Sequence, residues 1–186
     1  MSLAVSNIEQ AVKTLHEGGI IAYPTEAVFG LGCDPNNLQA VQKLLDLKSR
    51  SYTKGLIIIA SHIEQLTPWV DFNLVPDLQV IKASWPGPET WLIPCKKNVS
   101  KLLRGHHSTL AVRVSDHPIV QQLCQQFDGA ITSTSANKNG ETAEMTLPSL
   151  QQLFSEQIDC YVLGDLSGNA RPSRIRDALS GKLIRT

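Results

Sequence analysis

The apolar positions fall into two rhythms that alternate along the chain. Ile8, Ala11, Val12 and Leu15 recur at three- and four-residue steps, and Leu38, Val41, Leu44 and Leu45 do so again, which predicts two helices with one buried face each. Ser6 and Glu9 read as a capping box for the first helix, Gly18 and Gly19 as its stop, and Asn37 as the cap of the second. The short apolar run 20–23 predicts a strand halted by Pro24, and 25–32 reads as a loop. Further on, 56–60 predicts a strand, Ser61 and Glu64 another capping box, 76–84 a helix and 90–94 a strand. In 109–114, Leu110, Val112 and Val114 point one way while Thr109, Ala111 and Arg113 point the other. Asp116, with Pro118 just inside, predicts the start of a helix bearing Val120, Leu123 and Phe127. A strand over 130–134 opening into Ser135-Ala136-Asn137, a helix over 147–154, a strand over 160–163 and a C-terminal strand pair complete the pattern. Strands and helices alternate without repeat or linker, so the pattern predicts one α/β domain over 1–186, a twisted, mostly central sheet flanked by helices.

Composition narrows the function classes. Hydrophobic residues make up 42% and charged residues 18%, which is ordinary for a globular chain. Seventeen basic residues balance seventeen acidic ones, whereas a protein that grips nucleic acid through many phosphates is usually basic. Neutrality favours a small charged substrate held by a few placed residues. Cys33, Cys95, Cys124 and Cys160 lack the spacing of a zinc site and read as reduced thiols in a reducing compartment. No signal peptide and no membrane-length apolar run is visible, so a cytoplasmic location is expected.

Four segments carry candidate chemistry. Lys48, Arg50 and Lys54 place three cations within seven residues, which is either a solvated loop after a helix or an anion site in which guanidinium and ammonium meet phosphate. Ser133-Thr134-Ser135-Ala136-Asn137 sits where a buried strand emerges, the edge at which α/β sheets bind ligands; a Ser/Asn-rich turn is the alternative. Arg113 lies on a strand among apolar neighbours and pairs either with a structural carboxylate or with a substrate carboxylate, with Thr109 on the same face. Segment 24–32 has two glycines that permit close backbone approach, or is a structural turn; it is neither a Walker A loop nor a dinucleotide fingerprint. There is no GxSxG elbow, no HExxH and no acidic pair suggesting a metal site, and His106-His107 reads as surface.

Taken in order, PTEAVFGLGCD at 24–34, LKSRSYTKGLIIIA at 47–60, WPGPET at 85–90, LAVRVSDHP at 110–118, STSAN at 133–137 and RPSRIRDALSGKLIR at 171–185 resemble the YrdC-type threonylcarbamoyl-AMP synthase family, in its short bacterial form. Ala27, Phe29, Ser51, Gly55, Ile59 and the segment 141–146 depart from the family's commonest pattern. The resemblance implies a concave, positively charged face. It implies conversion of L-threonine, bicarbonate and ATP with Mg²⁺ to threonylcarbamoyl-AMP and pyrophosphate. A downstream tRNA threonylcarbamoyl transferase complex would then modify the adenosine beside the anticodon, with direct tRNA or RNA contact a further implied partner. By position, Lys48 and Arg50 would contact the ATP phosphates and act in catalysis; Ser133, Ser135 and Asn137 would line the nucleotide site; Thr25, Thr109, Arg113 and Ser173 would hold threonine. A lid around 171–176 is a further expectation. The alternative from another class is a non-catalytic RNA-binding or ribosome-assembly module.

Overall fold

The structure is a computed structural model that describes residues 5–138, 141, 143, 145–168 and 173–186. The elements are β1 (Val5–Ser6), α1 (Ile8–His16), β2 (Ile21–Pro24), β3 (Phe29–Gly32), α2 (Leu38–Leu47), β4 (Ile57–Ala60), α3 (Leu78–Ala83), β5 (Glu89–Pro94), α4 (Lys101–Arg104), β6 (Thr109–Val114), α5 (Pro118–Gln126), β7 (Ile131–Ser135), α6 (Leu147–Phe154), β8 (Cys160–Val162), β9 (Arg174–Asp177) and β10 (Leu183–Arg185). Among the described residues, ten strands form one mixed sheet in the order β1-β8-β2-β3-β7-β4-β6-β5-β9-β10. This is the α/β architecture that the alternating pattern predicts.

Both faces of the sheet are packed, and strand parity shows how. Ala22, Leu31, Ile58 and Ala60 turn to one face, where Val41, Leu44 and Leu45 of α2 and Leu150 and Phe154 of α6 complete the larger core. Ile21, Tyr23, Ile59 and Ile131 turn to the other, against Ala11 and Leu15 of α1 and Val120 and Leu123 of α5. Helices α1 and α5 pack side by side on that second face and cover only part of it. Beyond them the same parity continues as Ser133 and Ser135 on β7, Ile57 on β4 and Thr109, Ala111 and Arg113 on β6.

Several local expectations are corrected. Segment 25–32 contains a strand: β3 pairs antiparallel with β2, Tyr23 opposite Gly30 and Ile21 opposite Gly32. Its alternation was hidden because glycine holds every second position. Asn7, not Ser6, caps α1, its Oδ1 accepting from Gln10 N at 2.9 Å. His117, not Asp116, caps α5, its Nδ1 accepting from Ile119 N at 3.3 Å. At 61–66 it is Gln65, not Glu64, that reaches back, its Oε1 accepting from Ser61 N at 3.0 Å.

Gly32 shows why one of those glycines is required. A Cβ built there lies 2.4 Å from the Thr132 carbonyl oxygen, a backbone atom that has no rotamer by which to retreat. Gly32→Ala is expected to cost about 1–3 kcal/mol, the range for overpacking a close-packed core, as read by the midpoint of urea unfolding.

Candidate functional site

The uncovered part of the second sheet face forms a cavity of about 390 Å³. Its floor is the run β3, β7, β4, β6 and β5, and its far wall is the C-terminal pair β9 and β10. Arg50, Lys54, Arg104, Arg113 and Arg185 line it, with Glu26 the one carboxylate among the described lining residues. Apolar surface from Val28, Leu56, Ile57, Leu92 and Leu103 lies between these charges. The cavity therefore combines cationic side chains with apolar ones, a lining suited to a charged ligand that carries an apolar group.

The turn after α2 sets the cationic rim. Lys48 is its C-cap, Ser49 takes a left-handed φ of 48°, and Arg50 N donates to Leu45 O at 2.9 Å, a Schellman ending with serine where glycine is usual. The reversal sends the two cations apart. Arg50 lines the cavity, braced on the Gly55 carbonyl through Nη2 at 2.9 Å. Lys48 is 2% exposed and is not among the lining residues; its Nζ donates to Ser135 O at the end of β7. Burial, and then the neighbouring Arg50 charge, pull its ammonium down to about 8.

Arg113 rises from the middle of the floor at 6% exposure. Its Nη2 lies 3.0 Å from Glu26 Oε2, and Ser115 Oγ donates to Glu26 Oε1. Its Nε has no hydrogen-bond partner. Burial opposes ionisation of Glu26, but the Arg113 charge and the Ser115 hydrogen bond outweigh it and hold the carboxyl below its usual range. Asp116 is pushed the other way, by burial and then by its contact with Glu26. Burial, and then repulsion between charges, lowers Arg50 (repelled by Arg185) and Arg185 (repelled by Arg113). Four guanidiniums, with Arg104 the fourth, thus converge on the cavity with Glu26 the one carboxylate among the described lining residues.

Of the residues expected from sequence, Thr25, Arg50, Thr109, Arg113, Ser133, Ser135 and Ser173 all line the cavity, whereas Lys48 and Asn137 do not. The Thr25 hydroxyl closes its own turn on Val28 O at 2.6 Å, and Ser173 Oγ accepts from Thr90 Oγ1 at 2.9 Å. Arg171 and Pro172 of the expected lid, and Thr142 and Glu144 of segment 141–146, lie outside the described residues. Sequence reasoning missed Glu26, Arg104, His107 and Arg185 as lining residues. Glu26 was readable as the partner that a strand arginine needs; Arg185 was not, because its place depends on the pairing of β10 with β9 across the sheet.

An open, cation-lined cavity on the uncovered face of an α/β sheet is suited to a small polyanion beside an apolar group. The chain belongs to the Sua5/YciO/YrdC family, whose model, described as telomere recombination, matches residues 13–186. It is 49% identical over 183 residues to the threonylcarbamoyl-AMP synthase of Photobacterium profundum, covering 97% of this chain and 99% of the relative. With the threonylcarbamoyl-AMP synthase of Vibrio vulnificus the identity is 46%, over 97% and 98% of the two chains. The fold superposes on P. abyssi Sua5 complexed with L-threonine with a TM-score of 0.84 and 29% identity, covering 91% of this chain and half (50%) of that longer one. E. coli YciO, at 24% identity and a TM-score of 0.82, shares the fold.

Removing the one carboxylate tests the floor. Glu26→Gln leaves the Arg113 charge buried without its counter-ion, which should cost about 3 kcal/mol at pH 7. A carboxyl held below its unfolded value stabilises the fold above that value, 4.5, and the contribution is lost as pH falls through the lower folded value. The gap between wild type and Glu26→Gln in urea unfolding should therefore narrow steadily as pH is lowered from 7 to below 4.5. A gap that is constant with pH would mean that packing, not charge, is what Glu26 supplies.

Proposed function

We propose that this chain is a threonylcarbamoyl-AMP synthase, joining L-threonine, bicarbonate and ATP into threonylcarbamoyl-AMP with release of pyrophosphate. The observation that carries the reading is the convergence of Arg50, Arg185 and Arg113 on one cavity, next to full-length relatives that bear that name. In this reading the threonine carboxylate meets Arg113, whose Nε has no hydrogen-bond partner, with Thr25, Thr109 and Ser173 around it. The complex of P. abyssi Sua5 with L-threonine supports threonine as the amino acid bound. The nucleotide lays its base on the apolar patch and its phosphates along Arg50, Lys54 and Arg185.

The threonine amine first forms a carbamate with CO₂ or bicarbonate. A carbamate oxygen then attacks the α-phosphorus and pyrophosphate leaves in line. Negative charge spreads over the phosphoryl oxygens in that step, and cations already fixed in place stabilise it without reorganising. Mg²⁺ arrives as part of the ATP substrate, because Glu26 is committed to Arg113 and Ser115 and offers no free ligand. The labile product then passes to a tRNA threonylcarbamoyl transferase complex that completes N6-threonylcarbamoyladenosine, in the cytoplasm. No helix of the described residues is long and apolar enough to cross a membrane.

Pyrophosphate release with ATP, Mg²⁺ and bicarbonate should depend on L-threonine. Arg50→Ala should lower kcat roughly 10²–10³-fold, the loss typical of one fixed donor to a developing anion. Arg113→Ala should act chiefly through KM for threonine, by about 10²-fold, since it removes a charge-assisted bond to substrate. A folded wild type with no threonine-dependent release, binding RNA with a steep salt dependence instead, would move the assignment to a non-catalytic RNA-binding module.

A further inference from the structure

We propose that Lys48 is a positioning residue, which locks the exit of β7 from behind the nucleotide wall and does not itself hold the phosphates. This rests on the reading of the cavity as a nucleotide site. A lysine ammonium has three hydrogens to donate and no acceptor. Three oxygens already accept from Lys48 Nζ: Ser135 O at 2.5 Å, Asn137 O at 2.6 Å and Asn137 Oδ1 at 3.0 Å. Every donor is used, the side chain is buried, and the residue stands outside the cavity lining. A phosphate could be reached only by breaking one of these bonds and carrying the charge around the chain.

The bonds lock a short polar knot. Ser135 Oγ donates to Asn137 Oδ1 at 2.7 Å, and Asn137 Nδ2 donates to Glu141 O. Ser133, Thr134 and Ser135, immediately before the knot, line the cavity. The left-handed Ser49 gives the division of labour a backbone cause: it turns the chain between Lys48, which bonds the end of β7, and Arg50, which lines the cavity. The Lys-x-Arg spacing then supplies one anchor and one ligand rather than two ligands.

Amide exchange over residues 133–138 of the ligand-free protein, measured in wild type, Lys48→Met and Arg50→Ala beside ATP and AMP affinities, separates the roles. Lys48→Met is expected to unfold cooperatively, to exchange about tenfold faster over 133–138, and to lose ATP and AMP affinity by the same factor, about tenfold, equivalent to 1.4 kcal/mol. Arg50→Ala should leave exchange unchanged and lose ATP far more than AMP. The inference is overturned if Lys48→Met exchanges like wild type, if it loses ATP while keeping AMP, or if it binds both nucleotides normally despite faster exchange. Should Lys48→Met not fold, an ammonium-selective ¹H–¹⁵N spectrum of wild type decides. A protected lysine ammonium without ligand that responds equally to AMP and ATP supports the anchor, and a response to ATP alone overturns it. A wild type that binds neither nucleotide overturns the nucleotide reading and this inference with it, whatever the exchange data say of the knot.

Discussion

Helices α1 and α5 are too few to cover the sheet face on which they lie, and most of what distinguishes this molecule follows from that shortfall. A sheet face must either meet apolar partners or carry groups that tolerate water and ligand. The residues change at the boundary. Along β7, Ile131 lies beneath α5, and Ser133 and Ser135, on the same face, stand where the cover has ended. Along β4, Ile59 is packed and Ile57 lines the cavity. The site is thus the unfinished part of the core, and it inherits the rigidity of strands whose opposite face is fully packed.

Charge in that unfinished face is arranged asymmetrically. A cation needs more compensation the deeper it is buried, and the protein supplies it in three different ways. Arg113 receives a carboxylate, Glu26, which is itself fixed by the Ser115 hydroxyl just beyond the same strand. Lys48 receives three neutral oxygens. Arg50 receives one carbonyl, from Gly55, and Arg185 one from Ser173. The last two each have one carbonyl for a partner, and burial first and then the Arg185 charge lower the pKa of Arg50. A polyanion entering the cavity relieves repulsion already present, so part of its binding free energy is built in before it arrives.

The helices and their order were legible because burial on one side imposes a 3.6-residue rhythm that α1, α2 and α5 keep cleanly. Strand β3 was not, since Gly30 and Gly32 erase the face that would have shown the two-residue period, and the reason for Gly32 lies far along the chain in the Thr132 carbonyl. Caps were misplaced by one residue where neighbours offered equal chemistry: Ser6 and Asn7 both have a suitable oxygen, and only the backbone decides which one faces the first turn. The candidate site was legible as residue types and only partly as roles. Thr109 and Arg113 share a strand face by simple alternation. The separation of Lys48 from Arg50 depends on the sign of one backbone angle at Ser49, which composition and spacing do not encode.

The C-terminal strands complete the argument, because they close the cavity from the side farthest from α5. Glu89 on β5 is 6% exposed and binds both Arg174 and Arg176 of β9, the latter through Nε at 3.2 Å. Two arginines on one buried carboxylate fix the register in which β9 runs parallel to β5, Glu89 opposite Arg174 and Trp91 opposite Arg176. That register places Ser173 beside Thr90, and the turn beyond β9 brings β10 back antiparallel so that Arg185 reaches the cavity. The carboxylates of Glu26 and Glu89 thus do equivalent tasks at opposite ends of the site. Neither is free for chemistry: Glu26 immobilises Arg113 on β6, and Glu89 fixes β9, the strand against which Arg185 of β10 is held.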